Sequence, residues 1–287
     1  MSTPTSISSE PTAVIVNPLD ALHLRAQMQA LDAGLAAQLA LSVVATTGST
    51  NEDLLAQTRP AAPLTWAARL AESQTAGRGR RGKTWLAAPG HSLTLSLAWY
   101  QAPALERLSG LALVIGLAVR EVLREEGLDC QLKWPNDIWL QQQKVGGILL
   151  ETTGSASAPI VVIGLGLNLH LPTAFKAAIP QAITALDEWI IVPERNALAA
   201  RLMIRIMAYA ERFAATGFTA FQADYAAADA LMGQAVWLRG STDQPAWALG
   251  VDEQGQLQVS DAPPGDPRGT LSVVNAGEVS LRLRGQA

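Results

Sequence analysis

The stretch GRGRRGKT, residues 77–84, constrains the fold of this chain most strongly because the segments on both sides of it alternate in polarity. Apolar residues recur at every second position over residues 64–70 and again over residues 93–99. That period is typical of half-buried β-strands. Pro89 and Gly90 end any helix that begins after the stretch. The sequence therefore predicts a strand, a basic loop and a second strand.

This scaffold argues against two phosphate-binding motifs that the letters satisfy. Residues 77–84 fit the P-loop pattern G-x-x-x-x-G-K-T, and residues 77–82 fit the dinucleotide pattern G-x-G-x-x-G. Both motifs need a helix directly after the glycines, with its N-terminus facing the phosphates. We instead interpret the stretch as a loop whose arginines bind a carboxylate or phosphate through their planar guanidinium groups. The alternative is a solvated basic loop without a ligand.

Composition and net charge limit the kinds of molecule that the chain is expected to bind. The 287 residues carry a formal net charge of −4, whereas nucleic-acid-binding domains are usually strongly basic. We therefore expect no nucleic-acid partner. The single cysteine, Cys130, excludes an intrachain disulfide and a cysteine-based zinc site. It fits a reducing compartment, so we predict a cytoplasmic protein in which Cys130 is a structural thiol.

Two apolar segments could be taken for a signal peptide or a membrane span, but the sequence favours neither interpretation. The run at residues 13–16 is too short for a signal peptide. Residues 152–175 carry no charge, but Gly154, Pro159 and Pro172 interrupt them. A buried strand with polar ends explains this segment better than a membrane span.

Periodicity assigns the remaining elements. Helical spacing or helix-forming composition is found over residues 22–41, 108–123 and 196–213. Short apolar runs predict strands at residues 132–134, 138–140, 145–150 and 160–169. From residue 233 onward, short strands and turns predict a small appended β-barrel.

A second polar constellation is KWPND, residues 133–137, followed by KVGG, residues 144–147. The glutamines at 141–143 are suited to a hairpin tip, which would bring Lys144 close to Asp137 on adjacent strands. Glycines inside a strand usually mark close approach by a ligand or another backbone. A lysine and a carboxylate beside such glycines suit phosphoryl chemistry. The alternative is a plain hairpin with a surface ion pair.

Five segments taken together, in chain order, resemble a known family. They are Ser49-Thr50-Asn51, Gln74 with GRGRRG, KWPND, KVGGILLE and GLGLN. This set is similar to the biotin protein ligases, which join biotin to biotin-dependent carboxylases. The match is dense over residues 49–168 and weaker at residues 277–282. KWPND with the following Lys-x-x-Gly is its most specific part.

The resemblance implies an α+β fold and a division of the chain. The expected fold is a mixed sheet with packed helices, related to class II aminoacyl-tRNA synthetases, plus a small C-terminal SH3-like barrel. We place a leader and short helix at residues 1–45, the catalytic domain at 46–232 and the barrel at 233–287. With fewer than fifty residues before Ser49, we expect a catalytic-only member without an N-terminal helix-turn-helix domain.

The resemblance also implies a two-step reaction with ATP, Mg²⁺ and biotin. Biotin and ATP would give biotinyl-5′-AMP, and a lysine on a biotin carboxyl carrier domain would then take the biotinyl group. The partner would be that carrier domain, with no membrane partner, and a homodimer is one assembly that the family uses.

Residue roles follow from the same resemblance. The catalytic residues would be Lys144, Arg78 and Asp137, with Asp137 also the expected Mg²⁺ ligand. Biotin would be bound by Ser49, Thr50, Asn51, Gln74, Arg78, Gly79, Arg80, Lys144 and Gly147. ATP and the adenylate would be bound by Arg78, Arg80, Arg81, Trp85, Lys133, Asn136, Lys144 and Asn168.

Two other functions remain open at this point. The first is a lipoate or octanoate ligase or transferase of the same fold, in which KWPND is not expected. The second is a non-catalytic biotin-sensing protein, which would not need Lys144, Arg78 and Asp137 together. Two mild departures from the family pattern are Lys83, where arginine is frequent, and Gly146, where alanine is common.

Overall fold

A mixed β-sheet forms the centre of the molecule. The computed structural model describes residues 17–57, 64–179, 181–239, 244–275 and 280–283. Within these residues, seven strands form a sheet in the order β1-β2-β3-β7-β6-β5-β4. They are β1 (Leu39–Thr47), β2 (Trp66–Gln74), β3 (Ser92–Trp99), β4 (Gln131–Lys133), β5 (Asp137–Leu140), β6 (Gln143–Ser155) and β7 (Ala158–Asn168). β1 and β2 are parallel and the other neighbours are antiparallel.

Helices cover the two faces of this sheet unequally. They are α1 (Ala21–Leu31), α2 (Ala33–Ala37), α3 (Thr50–Leu55), α4 (Leu111–Glu125), α5 (Thr173–Ala178), α6 (Arg195–Thr216) and α7 (Gln222–Ala228). α4 and α6 pack against each other and against one face of the sheet, and α1 packs on α6. Gly127, with φ 84°, follows the end of α4 in the left-handed conformation that favours glycine. The predicted α+β fold and the predicted helices at 108–123 and 196–213 are confirmed.

Alternation along β3 and β7 separates the main core from the opposite face. The odd-numbered residues Leu93, Leu95 and Leu97 of β3 lie in the large core beneath α4 and α6. Successive side chains of a strand point to opposite faces, so Thr94 and Ser96 share the other face. The odd residues of β7 from Val161 to Leu167 likewise enter the core, which leaves Gly164 and Gly166 opposite. Small residues thus leave space above the sheet on the face that α4 and α6 do not cover.

The helix predicted over residues 22–41 is correct only for its first part. α1 ends at Leu31, and Asp32, in an extended conformation, accepts a 2.9 Å hydrogen bond from Leu35 N to cap α2. From Leu39 the chain is strand β1, paired in parallel with β2. Pairing with β2 along this edge overrides the helix propensity of the local sequence, since propensity is a weak term beside tertiary contacts.

A second, smaller sheet follows α7. Its five strands in the described residues are antiparallel and ordered β11-β10-β9-β8-β12. They are β8 (Ala235–Arg239), β9 (Gln244–Val251), β10 (Leu257–Ser260), β11 (Leu271–Val274) and β12 (Ser280–Leu283). The expected appended β-structure is confirmed, whereas the domain boundaries at 45 and 232 stay predictions. Residues 1–16 of the leader and residues 277–279 of the weaker match lie outside the described residues.

Hydrogen bonds tie this small sheet to the main domain. Ser109 Oγ donates to the carbonyl of Gln254 at 2.6 Å, and Trp134 Nε1 donates to the carbonyl of Gly255 at 3.1 Å. Gly255 has φ 72°, and a Cβ there would lie 2.7 Å from the Cα of Gly110. The turn between β9 and β10 therefore packs directly behind the KWPND segment.

The uncharged segment 152–175 forms the end of β6, the whole of β7 and the start of α5. Among the described residues, the helices all lack the combination of length and apolar character that crossing a membrane requires.

Candidate functional site

A cavity of about 740 Å³ opens on the face of the sheet away from α4 and α6. Its walls come from α3, the loop after β2, and strands β3, β5, β6 and β7. Every residue that the sequence predicted for a site lines it: Ser49, Thr50, Asn51, Gln74, Arg78, Gly79, Arg80, Arg81, Trp85, Lys133, Asn136, Asp137, Lys144, Gly147 and Asn168. The fold therefore brings all of the predicted site residues to one place.

Four hydrogen-bonded residues, Thr50, Asn51, Gln74 and Ser96, form the polar floor of the cavity. Thr50 donates to Gln74 Oε1 through its backbone N at 2.8 Å and its hydroxyl at 3.1 Å. Ser96 Oγ lies 2.5 Å from Asn51 Oδ1 and 2.7 Å from Thr50 Oγ1. Because these side chains are neutral and already paired, the floor suits the polar end of an uncharged group. Ser96 was not predicted, although its place in the alternation of β3 was the available signal.

Ser49 precedes the floor at the start of α3. It is the N-cap residue, with φ −155° and ψ 129°, and is buried. α3 therefore begins at Thr50, directly after Ser49. The Ser49 hydroxyl makes no capping hydrogen bond to α3, and the residue lines the cavity.

The glycines of the GLGLN segment are needed because other side chains lie against them. A Cβ on Gly164 would stand 2.4 Å from Asn51 Oδ1, and one on Gly166 would stand 2.4 Å from Trp85 Cε2. Cβ atoms essentially never approach so closely. Asn51 and Trp85 can therefore occupy their positions only because β7 carries glycine beneath them, which accords with the sequence expectation of close approach.

The basic loop, residues 77–83, is a tight hairpin-like turn. Gly79 N donates to the carbonyl of Lys83 at 2.7 Å, and Trp85 N donates to the carbonyl of Gly77 at 2.9 Å. Arg81 sits in the left-handed region with φ 56°. The only helical element in the loop is a single 3₁₀ turn, and β3 begins at Ser92. The predicted arrangement of strand, loop and strand is confirmed, and neither phosphate-binding helix motif is present.

Arg78 is held between two carboxylates. Its Nη1 lies 2.8 Å from Glu52 Oε1, and its Nη2 lies 2.8 Å from Glu151 Oε1. Glu151 also accepts a 2.9 Å hydrogen bond from Asn51 Nδ2. Neither Glu52 nor Glu151 was predicted as a site residue, although Glu151 ends the KVGGILLE segment. An anion that binds Arg78 must replace at least part of this pairing.

Arg80 turns inward from the loop towards KWPND. Its Nη1 lies 3.5 Å from Asn136 Oδ1, while Asn136 Nδ2 donates to the carbonyl of Ile148 at 2.7 Å. Burial lowers the pKa of Arg80, the charge of Arg81 lowers it further, and Asp137 acts in the opposite direction. Arginine nevertheless stays cationic at neutral pH, so a partly desolvated positive charge faces the cavity.

Lys144 and Asp137 form an ion pair on neighbouring strands β6 and β5. Lys144 Nζ lies 2.7 Å from Asp137 Oδ1, with the side chains 17% and 20% exposed. The predicted proximity is confirmed, and the pair is partly buried in the cavity wall. Lys144 Nζ also lies 5.5 Å from the centroid of the Trp85 ring. The lysine therefore stands between the sheet and the residues that follow the basic loop.

The cavity wall also includes a segment that the sequence did not predict, residues 179 and 181–183. Lys144 N donates to the carbonyl of Ala182 at 2.9 Å, and Thr184 N donates to the carbonyl of Lys144 at 3.0 Å. Asn168 is buried and donates through Nδ2 to the carbonyl of Thr184 at 3.0 Å. No periodicity in this segment signals its position, which depends on pairing with distant residues.

Two chemical properties of the described residues bear on metal and thiol chemistry. They contain no group of three or more His, Cys, Asp or Glu side chains arranged to hold a metal ion. Asp137 is the one acidic side chain among the described cavity-lining residues. Mg²⁺ usually binds one or two carboxylates together with substrate phosphates, so this donor set fits a magnesium ion carried by a phosphorylated ligand. Burial raises the pKa of Cys130 to about 12, which makes this thiol unreactive.

Comparison with known proteins places these features in a family context. Residues 43–168 match the sequence model of the Biotin/lipoate A/B protein ligase family. The chain is 34% identical over 268 residues to the bifunctional ligase/repressor BirA of Escherichia coli, covering 92% of this chain and 79% of that protein. It is 35% identical over 269 residues to the biotin–[acetyl-CoA-carboxylase] ligase of Mycobacterium tuberculosis, covering 91% and 95%.

A solved structure agrees with the sequence comparisons. The biotin protein ligase of Aquifex aeolicus in complex with biotin and ATP superposes with a TM-score of 0.70 and 28% identity. The match covers 85% of this chain and 99% of that one. The similarity thus extends over the described cavity and most of the remaining fold.

Proposed function

Because the chain belongs to the biotin protein ligase family, we propose that its cavity activates biotin with ATP and passes the biotinyl group to a protein lysine. The chain is an ATP-dependent ligase that forms an amide bond. In the first step, the biotin carboxylate attacks the α-phosphorus of ATP, giving biotinyl-5′-AMP and pyrophosphate. In the second, a lysine amine attacks the acyl carbon, forming the amide and releasing AMP.

The observation that carries this proposal is the division of one cavity into a neutral floor and a cationic rim. The floor offers paired neutral donors and acceptors from Asn51, Ser96 and their neighbours. The rim offers Arg78, Arg80 and Lys144. Biotin has the matching polarity, with an uncharged ring system at one end and a carboxylate at the other. The contacts for its ring system are assigned to Ser49, Thr50, Asn51 and Gln74, with Gly147 leaving room beside Lys144.

Arg78 and Lys144 are assigned to the biotin carboxylate and the α-phosphate. Both groups are anionic, and negative charge shifts among the phosphoryl oxygens during adenylation, so prepositioned cations stabilise the transition state. Arg78 must leave Glu52 or Glu151 to do this. Gly79, together with Arg80 and Arg81, would let the basic loop close over the adenylate. Closure would exclude water, which otherwise hydrolyses an acyl adenylate.

The nucleotide is assigned to the part of the cavity lined by Trp85, Lys133, Asn136 and Asn168. Trp85 would pack beside the adenine, and Asn168 would hydrogen-bond it, with Lys133 and Asn136 near the adenylate. Trp85 Nε1 is buried and has no hydrogen-bond partner among the described residues. Because a buried unpaired donor is unfavourable, an acceptor on the bound nucleotide would satisfy it.

Asp137 is assigned two duties at the reacting centre. It would supply a carboxylate oxygen to Mg²⁺, which neutralises charge on the ATP phosphates when bound. In the second step it would accept a proton from the incoming lysine, since a lysine with an ordinary pKa near 10.4 is mostly protonated at neutral pH. Its ion pair with Lys144 keeps the carboxylate beside the phosphate-binding cations.

The acceptor is a biotin carboxyl carrier domain, the partner of this enzyme family. The deciding experiment is intact-protein mass spectrometry of such a domain incubated with this chain, biotin and MgATP. We expect a mass gain of one biotinyl group that requires ATP. A mass gain with lipoate and none with biotin would instead assign the activity of the related lipoate ligases to this chain. No gain with either would contradict catalysis and leave a biotin-sensing role.

We further propose a cytoplasmic location and assembly through the main sheet. Biotin-dependent carboxylases and ATP are intracellular, and the single cysteine is buried and forms no disulfide. β1 is an edge strand of the seven-stranded sheet in the described residues, which makes it available for pairing between two copies. Light scattering of the purified chain at several concentrations, with and without biotin, would test the homodimer.

A further inference from the structure

Glu151 contacts the polar floor and the basic loop through separate carboxylate oxygens. Its Oε2 accepts from Asn51 Nδ2 at 2.9 Å, and its Oε1 pairs with Arg78 Nη2 at 2.8 Å. We propose that Glu151 is a positioning residue that orients Asn51 in the floor and restrains Arg78 at the rim. This inference rests on the biotin ligase function proposed above.

The orientation of Asn51 follows from what a carboxylate can do. An ionised carboxylate accepts hydrogen bonds and donates none. The NH₂ group of Asn51 must therefore face Glu151, which turns Asn51 Oδ1 towards Ser96, where Ser96 Oγ lies at 2.5 Å. The Ser96 hydroxyl donates to that oxygen. Glu151 thus sets the direction of two consecutive hydrogen bonds in the floor, on the side where a ligand would bind.

The restraint on Arg78 depends mainly on Glu151 because its two carboxylate partners differ in exposure. The side chain of Glu52 is 54% exposed, whereas that of Glu151 is 18% exposed. Exposed ion pairs are screened by water and salt and contribute little. Glu52 is therefore a matched control, since it makes the same kind of bond to Arg78 at the same 2.8 Å distance and has no hydrogen bond to the floor among the described residues.

The first test compares Glu151→Gln with Glu52→Gln by calorimetric titration with biotin and by steady-state kinetics. Glutamine has one acceptor oxygen and an NH₂ group, so it must present NH₂ either to Asn51 or to Arg78. We expect Glu151→Gln to weaken biotin binding roughly tenfold to a hundredfold, the size of a lost charge-assisted hydrogen bond. Glu52→Gln should stay within about threefold of the wild type.

The kinetic pattern separates positioning from a loss of structure. In Glu151→Gln we expect KM for biotin to rise while kcat at saturating biotin stays within about threefold, as for lost binding alone. The melting temperature should match that of Glu52→Gln. A fall in kcat and in melting temperature with an unchanged KM would overturn the positioning role.

A second background isolates the effect on Asn51. In the Arg78→Ala chain, Glu151→Gln should still weaken biotin binding several-fold, because the contact with Asn51 does not need Arg78. An unchanged affinity in this background would refute the orientation of Asn51. Equal effects of Glu151→Gln and Glu52→Gln, or none from either, would overturn the whole inference. If the wild type itself fails to bind biotin, the proposed function fails instead.

Discussion

The polar floor and the basic loop lie in one cavity but are built in opposite ways. The floor residues are held by neighbouring strands and by α3, with Thr50, Asn51 and Ser96 almost fully buried. In the basic loop, Arg81 and Lys83 are exposed, and Arg78 is paired with carboxylates that a ligand must displace. The floor is therefore preorganised for a neutral shape, whereas the loop can exchange partners when an anion arrives.

The rigid floor and the exchangeable loop contribute binding energy at different stages of the reaction. A rigid neutral floor can discriminate between ligands because mismatched polar groups there would remain unpaired. The cationic loop contributes once charge is redistributed on the phosphate. Substitutions in the floor should therefore alter both stability and binding, while substitutions at the rim should alter the reaction and leave the fold intact.

The largest expected effect is at Lys144, where the sheet meets the residues of the rim. Lys144→Ala should lower the rate of adenylate formation by roughly 10²-fold or more, as for the loss of one transition-state donor. Its thermal stability should change little. Single-turnover formation of biotinyl-AMP measures the rate. The control is Lys176→Ala, which removes an ion pair to Glu188 outside the cavity. Near-normal turnover of Lys144→Ala would contradict the assignment of Lys144 to the biotin carboxylate and the α-phosphate.

The next prediction concerns Asp229, where we expect an effect on stability alone. Burial raises the pKa of Asp229 to about 6 from an ordinary 3.8. The folded chain therefore binds more protons than the unfolded chain between about pH 4 and pH 6, so stability falls as pH rises through this window and stays lower above it. Two pKa units correspond to at most about 3 kcal/mol.

Asp229→Asn should remove that pH dependence. The amide oxygen can still accept from Leu231 N, as Asp229 Oδ1 does at 2.8 Å, and the buried Oδ2, which has no partner in the described residues, is replaced by a neutral group. We expect the free energy of unfolding at pH 8 to rise by about 1–3 kcal/mol, with biotin affinity unchanged. Urea unfolding at pH 4 and pH 8 tests this. Parallel curves for both chains would show that Asp229 is not buried in its charged form.

In the floor, the sharpest test is Gly164→Ala. Its Cβ would meet Asn51 Oδ1 at 2.4 Å, so Asn51 must shift. We expect a stability loss of about 1–3 kcal/mol from overpacking and biotin binding weakened about tenfold or more, measured by thermal melting and calorimetry. Gly48→Ala is the control, because its Cβ meets nothing closer than 4.0 Å. Full biotin affinity in Gly164→Ala would show that the floor is adaptable and would contradict its preorganisation.

The smallest expected effect concerns the basic loop. Trypsin can cleave after the arginines and lysine of residues 77–83, and these bonds should be cut several-fold more slowly when biotin and ATP are both present, since ligand binding lowers the population of open forms. Mass spectrometry of timed digests reports each site. Sites after Arg268, which is exposed and remote from the cavity, serve as the internal control. Equal cleavage with and without ligands would argue against a closing loop.

Much of the site could be predicted from the sequence because its motifs are local. The alternation on either side of residues 77–84 predicted a loop between strands, and the glutamine-rich turn predicted that Lys144 lies near Asp137. Both predictions depend on residues close together in the chain, where turn chemistry and strand period decide the geometry. The same reasoning failed at residues 39–41, where pairing between β1 and β2 outweighed helix propensity.

Local patterns in the sequence were enough to predict the alternating strands, the position of the basic loop and the family that the chain resembles. Contacts between distant parts of the chain place Ser96 and residues 181–183 at one cavity and bring Glu151 against Asn51 in its floor. Asn51 and Glu151, for example, are separated by 100 residues in the chain and meet at 2.9 Å. Such contacts cannot be predicted from short-range patterns because they depend on the order and register of strands in the sheet.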